Sequence, residues 1–366
     1  MSGLRYGIIG AGMMGQEHIR NIALLEGATI SAVSDPDPGM RSAARHLAGG
    51  ADAFSDHRAL LSADVCDAYL IAAPNDLHLP ILRDVLATPK PVLVEKPLAI
   101  RSEDCRTVIQ LAVGRTAPVW VAMEYRYMPP VAQLIADVHR GRVGDARMMA
   151  IREHRFPFLS KVGDWNRFNA RTGGTMVEKC CHFWDLMRLV LRSDPVRVYA
   201  SGGADVNHRD ESYDGQRPDI LDNGFVTLDF ANGSRAMLDL CMFGEGSYWQ
   251  EEVSVTGPLG RIDARVPGPA RFSADGEERA SEVEFSDRQT KRQEKAVIEV
   301  DPRILQAGDH HGSTFYQHQR FADLVRRGDG QPEVGLEDGF WSVLVGEAAE
   351  ESARTGQAVS LEGRGP

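Results

Sequence analysis

Through the first third of the chain, short runs of consecutive apolar residues alternate with stretches carrying an apolar residue every three or four positions. LRYGIIG (Leu4–Gly10) reads as a buried strand, and Met13 to Leu25 as the helix that follows it. ATISAVS (Ala28–Ser34) and the span from Pro38 to Leu47 repeat the pair. DAYLIAA (Asp67–Ala73) and PVLVE (Pro91–Glu95) are two more apolar runs of strand length, with helical spacing between them from Asp76 to Ala87. A helix from Ser102 to Val113 leads into APVWVAM (Ala117–Met123). Strands apolar at nearly every position are buried on both faces. Alternating with helices, they predict a doubly wound parallel sheet.

The pattern changes near residue 125. Arg147 to His154, Val196 to Gly202, Asn223 to Phe230, Arg235 to Met242 and Glu251 to Thr256 read as longer strands. ANGS (Ala231–Ser234) between two of them is a strong hairpin signal. Helices are expected at Gly174 to Leu191, Ser313 to Arg326 and Glu337 to Thr355. The fold class is therefore α/β, with a parallel domain over 1–125 and a second α/β domain over 126–366 built on a large, open, mainly antiparallel sheet. The last helices are free to pack back on the first domain. The charged span Ser273 to Lys295 reads as solvated strand and loop at a rim, and the tail EGRGP as frayed.

Charge and composition narrow the function. A formal net charge of −11 argues against a nucleic-acid surface, which needs cations to neutralise phosphates. No apolar run is long enough to span a bilayer, and the N-terminus lacks the pattern of a cleaved signal. A cytoplasmic location is expected, with no membrane partner. The five cysteines lack CxxC spacing, which fits reduced thiols.

Gly10-Ala11-Gly12-Met13-Met14-Gly15 follows a strand and opens a helix. Gly10 permits the turn, Gly12 the approach of a pyrophosphate, and Gly15 the close packing of helix on strand. The phosphates would rest on free N–H groups at the helix start, as in a Rossmann domain. Asp35 ends the second strand, 25 residues after Gly10. Its carboxylate would accept from the adenosine ribose and repel a 2′-phosphate, which favours NAD over NADP, although Arg41 is close enough in sequence to tolerate one. In PVLVEKPLAI, Lys96 and Pro97 end a buried strand. Ligands of doubly wound sheets bind at the carboxyl ends of the strands, so Lys96 is expected in the nicotinamide crevice. Pro97 constrains the backbone there and is a candidate cis bond.

GGTMVEKCCHFWDLMR (Gly173–Arg188) places Glu178, His182 and Asp185 at spacings of four and three, on one face of a continuous helix. Oxidising a secondary alcohol requires loss of its hydroxyl proton. A histidine suits that task, and a carboxylate one turn away can set its tautomer. Adjacent Cys180 and Cys181 diverge by about 100° on a helix, so both cannot share an ion with His182, and no metal is expected.

Taken together, GAGMMG, SDPDP, APNDLH (Ala73–His78), VEKPLA, EYRYMPP (Glu124–Pro130), GGTMVEKCCHFWDL and the closing GFWSVLVGEAAEESARTGQAV resemble the Gfo/Idh/MocA oxidoreductase family. The resemblance covers nearly the whole chain. It implies a Rossmann domain, a C-terminal α/β domain, NAD(P), and oxidation of a sugar or cyclitol hydroxyl. Carried over by motif, Lys96 and His182 would be the catalytic pair. Ala73, Pro74, Asn75, His78 and Glu95 would lie near the cofactor, and Arg126 at the cofactor or substrate edge. The family often has Asp four residues before the histidine, where this chain has Glu178, expected to orient His182 or to reach the substrate.

The expected reaction is NAD-dependent oxidation of a ring hydroxyl of a sugar, anhydrosugar or cyclitol. Arg152, His154, Asp164, Trp165, Asn166 and His311 are candidate partners for the substrate hydroxyls, beside Lys96, Glu178 and His182. Two alternatives use the same scaffold: a glycoside-cleaving enzyme that oxidises transiently and re-reduces, and a non-catalytic NAD-binding regulator. An open sheet face has to be covered, so a homodimer or homotetramer is expected.

Overall fold

The computed structural model describes residues 3–366. Six short strands form the first sheet: β1 (Leu4–Ile9), β2 (Ala28–Ser34), β3 (Asp52–Phe54), β4 (Ala68–Ile71), β5 (Val92–Val94) and β6 (Val119–Val121). Their order is β3-β2-β1-β4-β5-β6, and every pairing is parallel. β4, β5 and β6 are buried at every position, as their continuous apolar runs require. The order reverses between β1 and β4, which opens a crevice at their carboxyl ends. Helices α1 (Met13–Ile22), α2 (Pro38–Leu47), α3 (His57–Ala63), α4 (His78–Val85) and α5 (Ser102–Leu111) cover this sheet.

After α6 (Pro129–His139) the chain builds nine further strands. They are β7 (Met148–His154), β8 (Pro195–Gly203), β9 (Asn223–Phe230), β10 (Arg235–Cys241), β11 (Trp249–Thr256), β12 (Gly260–Pro267), β13 (Ser281–Asp287), β14 (Gln293–Ile298) and β15 (Val359–Ser360). The order is β14-β13-β12-β11-β7-β10-β9-β8-β15, antiparallel except for the β7–β10 pair. The charged span expected at a rim supplies β13 and the first half of its neighbour, the edge strand β14. Burial alternates along β7, β9 and β10, so one face meets helices and the other is uncovered.

Between β7 and β8 lie α7 (Asn169–Thr172), α8 (Thr175–Glu178) and α9 (Cys181–Leu191). The single helix expected over 174–191 is thus two helices, broken at Lys179 and Cys180. The Trp184 indole donates to the Met176 carbonyl at 2.8 Å, across that break. α10 (Pro302–Gln306), α11 (Ser313–Arg327) and α12 (Leu336–Thr355) complete the chain. α11 and α12 return to the first domain. Phe321 meets Trp120 and Tyr6, and Gly339 sits against Leu98 and Val121, with no room for a Cβ. Among the described residues no helix is long and apolar enough to cross a membrane.

Candidate active site

The turn after β1 leaves its backbone open to a ligand. Gly10 has φ +94°, and a Cβ there would lie 2.5 Å from the Ala72 carbonyl oxygen. A Cβ on Gly15 would strike the Gly10 oxygen at 2.1 Å. Gly12 is different, because a Cβ there meets nothing within 4 Å and the backbone faces open space. α1 starts at that point with no side-chain cap, so its first N–H groups are available to a ligand. The Asp35 carboxylate accepts from Ala11 N at 2.7 Å and from Asp37 N at 2.8 Å, which fixes the turn to the end of β2. Arg41 is tied back to the Asp35 carbonyl at 2.6 Å.

A cavity of about 800 Å³ runs from this turn along the crevice. Gly10, Gly12, Met13, Met14 and Asp35 line one end, and Ala73, Pro74, Asn75, Glu95 and Lys96 continue it. The Asn75 amide nitrogen is buried without a partner, a donor left for a ligand. His78 does not line the cavity. It is fully buried and bridges the Pro97 and Ala73 carbonyls at 2.7 and 3.0 Å, holding the loops after β5 and β4 together.

The far end of the cavity joins the two domains. The Lys96–Pro97 bond is cis. Lys96 Nζ donates to the Glu178 carbonyl at 3.1 Å. That carbonyl is free because the helix breaks after it, and it also receives Cys181 Sγ at 3.4 Å. Burial works against the Lys96 ammonium, but Glu178, Glu95 and Glu124 work for it, and its pKa ends above the ordinary lysine value. The Cys181 thiol beside it is pushed by burial to about 12 and stays neutral. Lys161, from the loop before α7, reaches Glu178 Oε1 at 3.3 Å and lies over the Trp165 ring. Glu178 Oε2 has no partner.

His182 opens the first turn of α9, one turn beyond Glu178, and is buried. It lies behind the cavity wall and does not line it. Neither expected carboxylate orients it. Glu178 turns to Lys161, and Asp185 forms a buried two-pronged ion pair with Arg126. Instead the imidazole stacks on Tyr125, with centroids 4.1 Å apart and planes within 8°. Burial, then Lys96, Lys179, His310 and Arg155, holds its pKa well below the ordinary histidine value, so the ring is neutral.

Two profiles of one family cover this chain: "Oxidoreductase family, NAD-binding Rossmann fold" over residues 4–123 and "Oxidoreductase family, C-terminal alpha/beta domain" over 135–361. The chain belongs to the Gfo/Idh/MocA oxidoreductase family. An inositol 2-dehydrogenase of Pseudomonas fluorescens is 29% identical, with 98% of this chain and 96% of that protein aligned. Inositol 2-dehydrogenase 2 of Saccharopolyspora erythraea is 27% identical, with 98% and 96% aligned. Among solved structures, levoglucosan dehydrogenase in complex with NADH and levoglucosan superposes with TM-score 0.81 at 19% identity, over 98% of this chain and 100% of that one. An Agrobacterium radiobacter oxidoreductase in complex with NAD+, L-tartaric acid and magnesium gives 0.79 at 19%, over 98% of each chain.

Several residues expected at this oxidoreductase's site stand elsewhere. Arg126 is not at the cofactor edge. Its guanidinium is buried against Asp185, with Asp338 at 3.4 Å and the Glu333 carbonyl at 2.7 Å, and it pins α9 to the last helix. Arg152 and His154 point to the uncovered face of the second sheet, where they pair with Glu252 and Asp239. Glu153, between them, faces inward and is fully buried. Trp165 lines the cavity together with Ser160 to Gly163, whereas Asp164 (φ +43°) and the buried Asn166 shape that loop from outside the lining. His311 lines a separate small pocket with Glu251, and burial drops its pKa to about 4. Its neighbour His310 instead donates to Glu17 at 2.7 Å, with Glu124 at 3.6 Å. Burial lowers the His310 pKa, but those carboxylates raise it to about 9, so it is an imidazolium.

Glu153, Lys161, Lys179 and His310 were not anticipated. The alternation along β7 contains the signal for Glu153. Met149 and Ile151 are core residues, so 153 shares their face and 152 and 154 cannot. Lys161 and His310 lie in irregular loops where no periodicity marks a direction.

Proposed function

We propose that this oxidoreductase catalyses NAD-dependent oxidation of one ring hydroxyl of a sugar, anhydrosugar or cyclitol. One observation carries the reading. Lys96 spans from the inner end of a dinucleotide-sized crevice to the carbonyl one turn before His182, so an ammonium lines the crevice and a neutral imidazole is buried just behind it. The names of the inositol and levoglucosan dehydrogenases support the substrate class.

The open backbone at Gly12, the uncapped start of α1 and the unpaired Asn75 donor fit a dinucleotide. Bound there, NAD supplies the electron acceptor. The chain supplies the rest. Neutral His182 takes the hydroxyl proton, and Lys96 stabilises the alkoxide charge that develops on the same oxygen. The free Glu178 Oε2 accepts from a neighbouring hydroxyl, which replaces the orienting role expected for that residue. Trp165 closes one side against water. A panel of polyols and sugars followed at the NADH absorbance, with NAD and NADP in parallel, tests this. Net NADH formation on a ring polyol is expected. Glycoside cleavage without net NADH would point to the redox-assisted hydrolase instead.

NAD is the expected cofactor because Asp35 stands at the end of β2, where a 2′-phosphate would face its carboxylate. A preference for NAD of at least about tenfold in kcat/KM is expected from that like-charge contact. Asp35→Ser is expected to erode it. NAD turnover should also fall, because the carboxylate holds Ala11 N and Asp37 N. Equal use of both cofactors by the unaltered chain would remove this assignment.

The uncovered sheet face carries Tyr199, Phe225 and Met237 close together, all exposed, with ion pairs such as Arg197–Asp229 around them. A second copy of this chain covers it in our reading, since a flat face of paired charges and large apolar groups is self-complementary. Light scattering should give a dimer or tetramer, and Phe225→Asp should shift it toward monomer. A monomeric parent chain would dismiss the idea.

A further inference from the structure

His182 lacks the hydrogen bond that fixes a catalytic imidazole. Its Nδ1 is buried without a partner, and neither Glu178 nor Asp185 reaches it. The ring is held by its stack on Tyr125. Tyr125 is itself held by a buried lysine. Lys179 Nζ donates to the Tyr125 hydroxyl and lies 4.6 Å from that ring's centroid. Glu153 Oε1 anchors the same ammonium at 2.8 Å. Lys179 occupies the break between α8 and α9, three residues before His182. Burying an ammonium is expensive, and a purely packing role would be met by an apolar side chain.

We infer that Lys179 and Tyr125 are positioning residues for His182: the ammonium fixes the phenol ring, and the ring fixes the imidazole plane. The inference rests on the reading of His182 as the proton acceptor. It assigns to a lysine–tyrosine pair the orienting work that the sequence pattern assigned to carboxylates. The lysine has a second effect. Its positive charge opposes protonation of the nearby imidazole and keeps the proton acceptor free.

Charges from several elements surround the pair, Glu124 among those facing Tyr125. Lys96, Lys179, Arg155 and the His310 imidazolium face His182, and each disfavours its charged form. Glu153, Glu251 and Arg155 face Lys179. The Tyr125 hydroxyl reaches Glu251 Oε1 at 3.4 Å, and Arg155 lies 3.4 Å from Glu153. Burial and then Arg155 bring Lys179 down to about 8, so it is still mostly cationic at neutral pH.

Lys179→Met is the first test, read by NMR titration of isotope-labelled histidine, with His182→Ala identifying the resonance among the 11 histidines. Removing the charge should raise the His182 pKa by about one unit, and the acid limb of kcat/KM should move up with it. An unmoved His182 titration in folded Lys179→Met overturns the proposal. Should that variant fail to fold, Tyr125 reads the same claim. Tyr125→Leu should lower kcat about tenfold with KM nearly unchanged, and Tyr125→Phe, which keeps the ring and its contact with the ammonium but loses the hydroxyl bond, should restore part of it. Equal loss in both variants, or loss in neither, counts against the stack. The titration needs no substrate. A shifted His182 without turnover on any polyol would uphold the positioning and sink the substrate class, and normal turnover with an unshifted His182 would do the reverse.

Discussion

Lys96→Met is expected to lose about a thousandfold in kcat while still binding NADH, as followed by steady-state turnover and by quenching of NADH fluorescence. Methionine nearly matches the lysine stem in volume, so the cavity end keeps its shape. What disappears is the ammonium that the proposed mechanism sets nearest the oxygen that turns into an alkoxide. A preorganised donor of this kind supplies about two to three powers of ten, and the buried setting of Lys96 places it at the upper end. The substitution also leaves the Glu178 carbonyl with only the weak Cys181 thiol donor, at a cost of about 1 kcal/mol to the fold. A melting curve therefore accompanies the kinetics. Unchanged kcat in a folded, NADH-binding variant would remove Lys96 from the chemistry.

His182→Ala should cost about 10²–10⁴ in kcat, the range for loss of a positioned general base. Its pH dependence is the sharper signature. Burial first, and then the four cations around the ring, depress the His182 pKa below its unfolded value. The base is therefore already free at neutral pH, and the acid limb of kcat/KM in the parent enzyme should lie below pH 6.5. His182→Ala should abolish that limb. Linkage adds a check in the absence of substrate. The unfolded histidine takes up a proton as pH falls through about 6.5 while the folded one does not, so stability drops with falling pH over that window. The contribution is flat above it. His182→Ala should remove this part of the acid destabilisation in melts taken from pH 7 to 5. A parent acid limb at or above 6.5, or turnover surviving in His182→Ala, would contradict the role.

The two ends of the proposed catalytic arrangement differ in how far the chain alone revealed them. Gly10, Gly12 and Gly15 were readable because their spacing is complete within six residues; Gly10 and Gly15 answer steric demands, and Gly12 leaves the backbone open. Lys96 was readable because a charged residue ending a buried strand of a doubly wound sheet has one crevice to enter. Asp185 was misassigned for the opposite reason. Its spacing from His182 suggests a shared helix face, but Arg126, 59 residues away, claims the carboxylate. Arg152 and His154 show a milder failure. Their strand was recognised, and the period-two rule already placed both on the face away from Met149 and Ile151.

Local periodicity was enough to reveal the parallel domain and the strands of the second sheet, because which residues form each strand or helix is written in the alternation of near neighbours. Tertiary structure alone decided which charges meet: Lys96 with the carbonyl freed by a helix break, Arg126 with Asp185, and Lys179 with Tyr125 and Glu153. A buried charge takes whichever opposite charge or dipole packing brings within reach, and that choice joins residues tens to hundreds of positions apart.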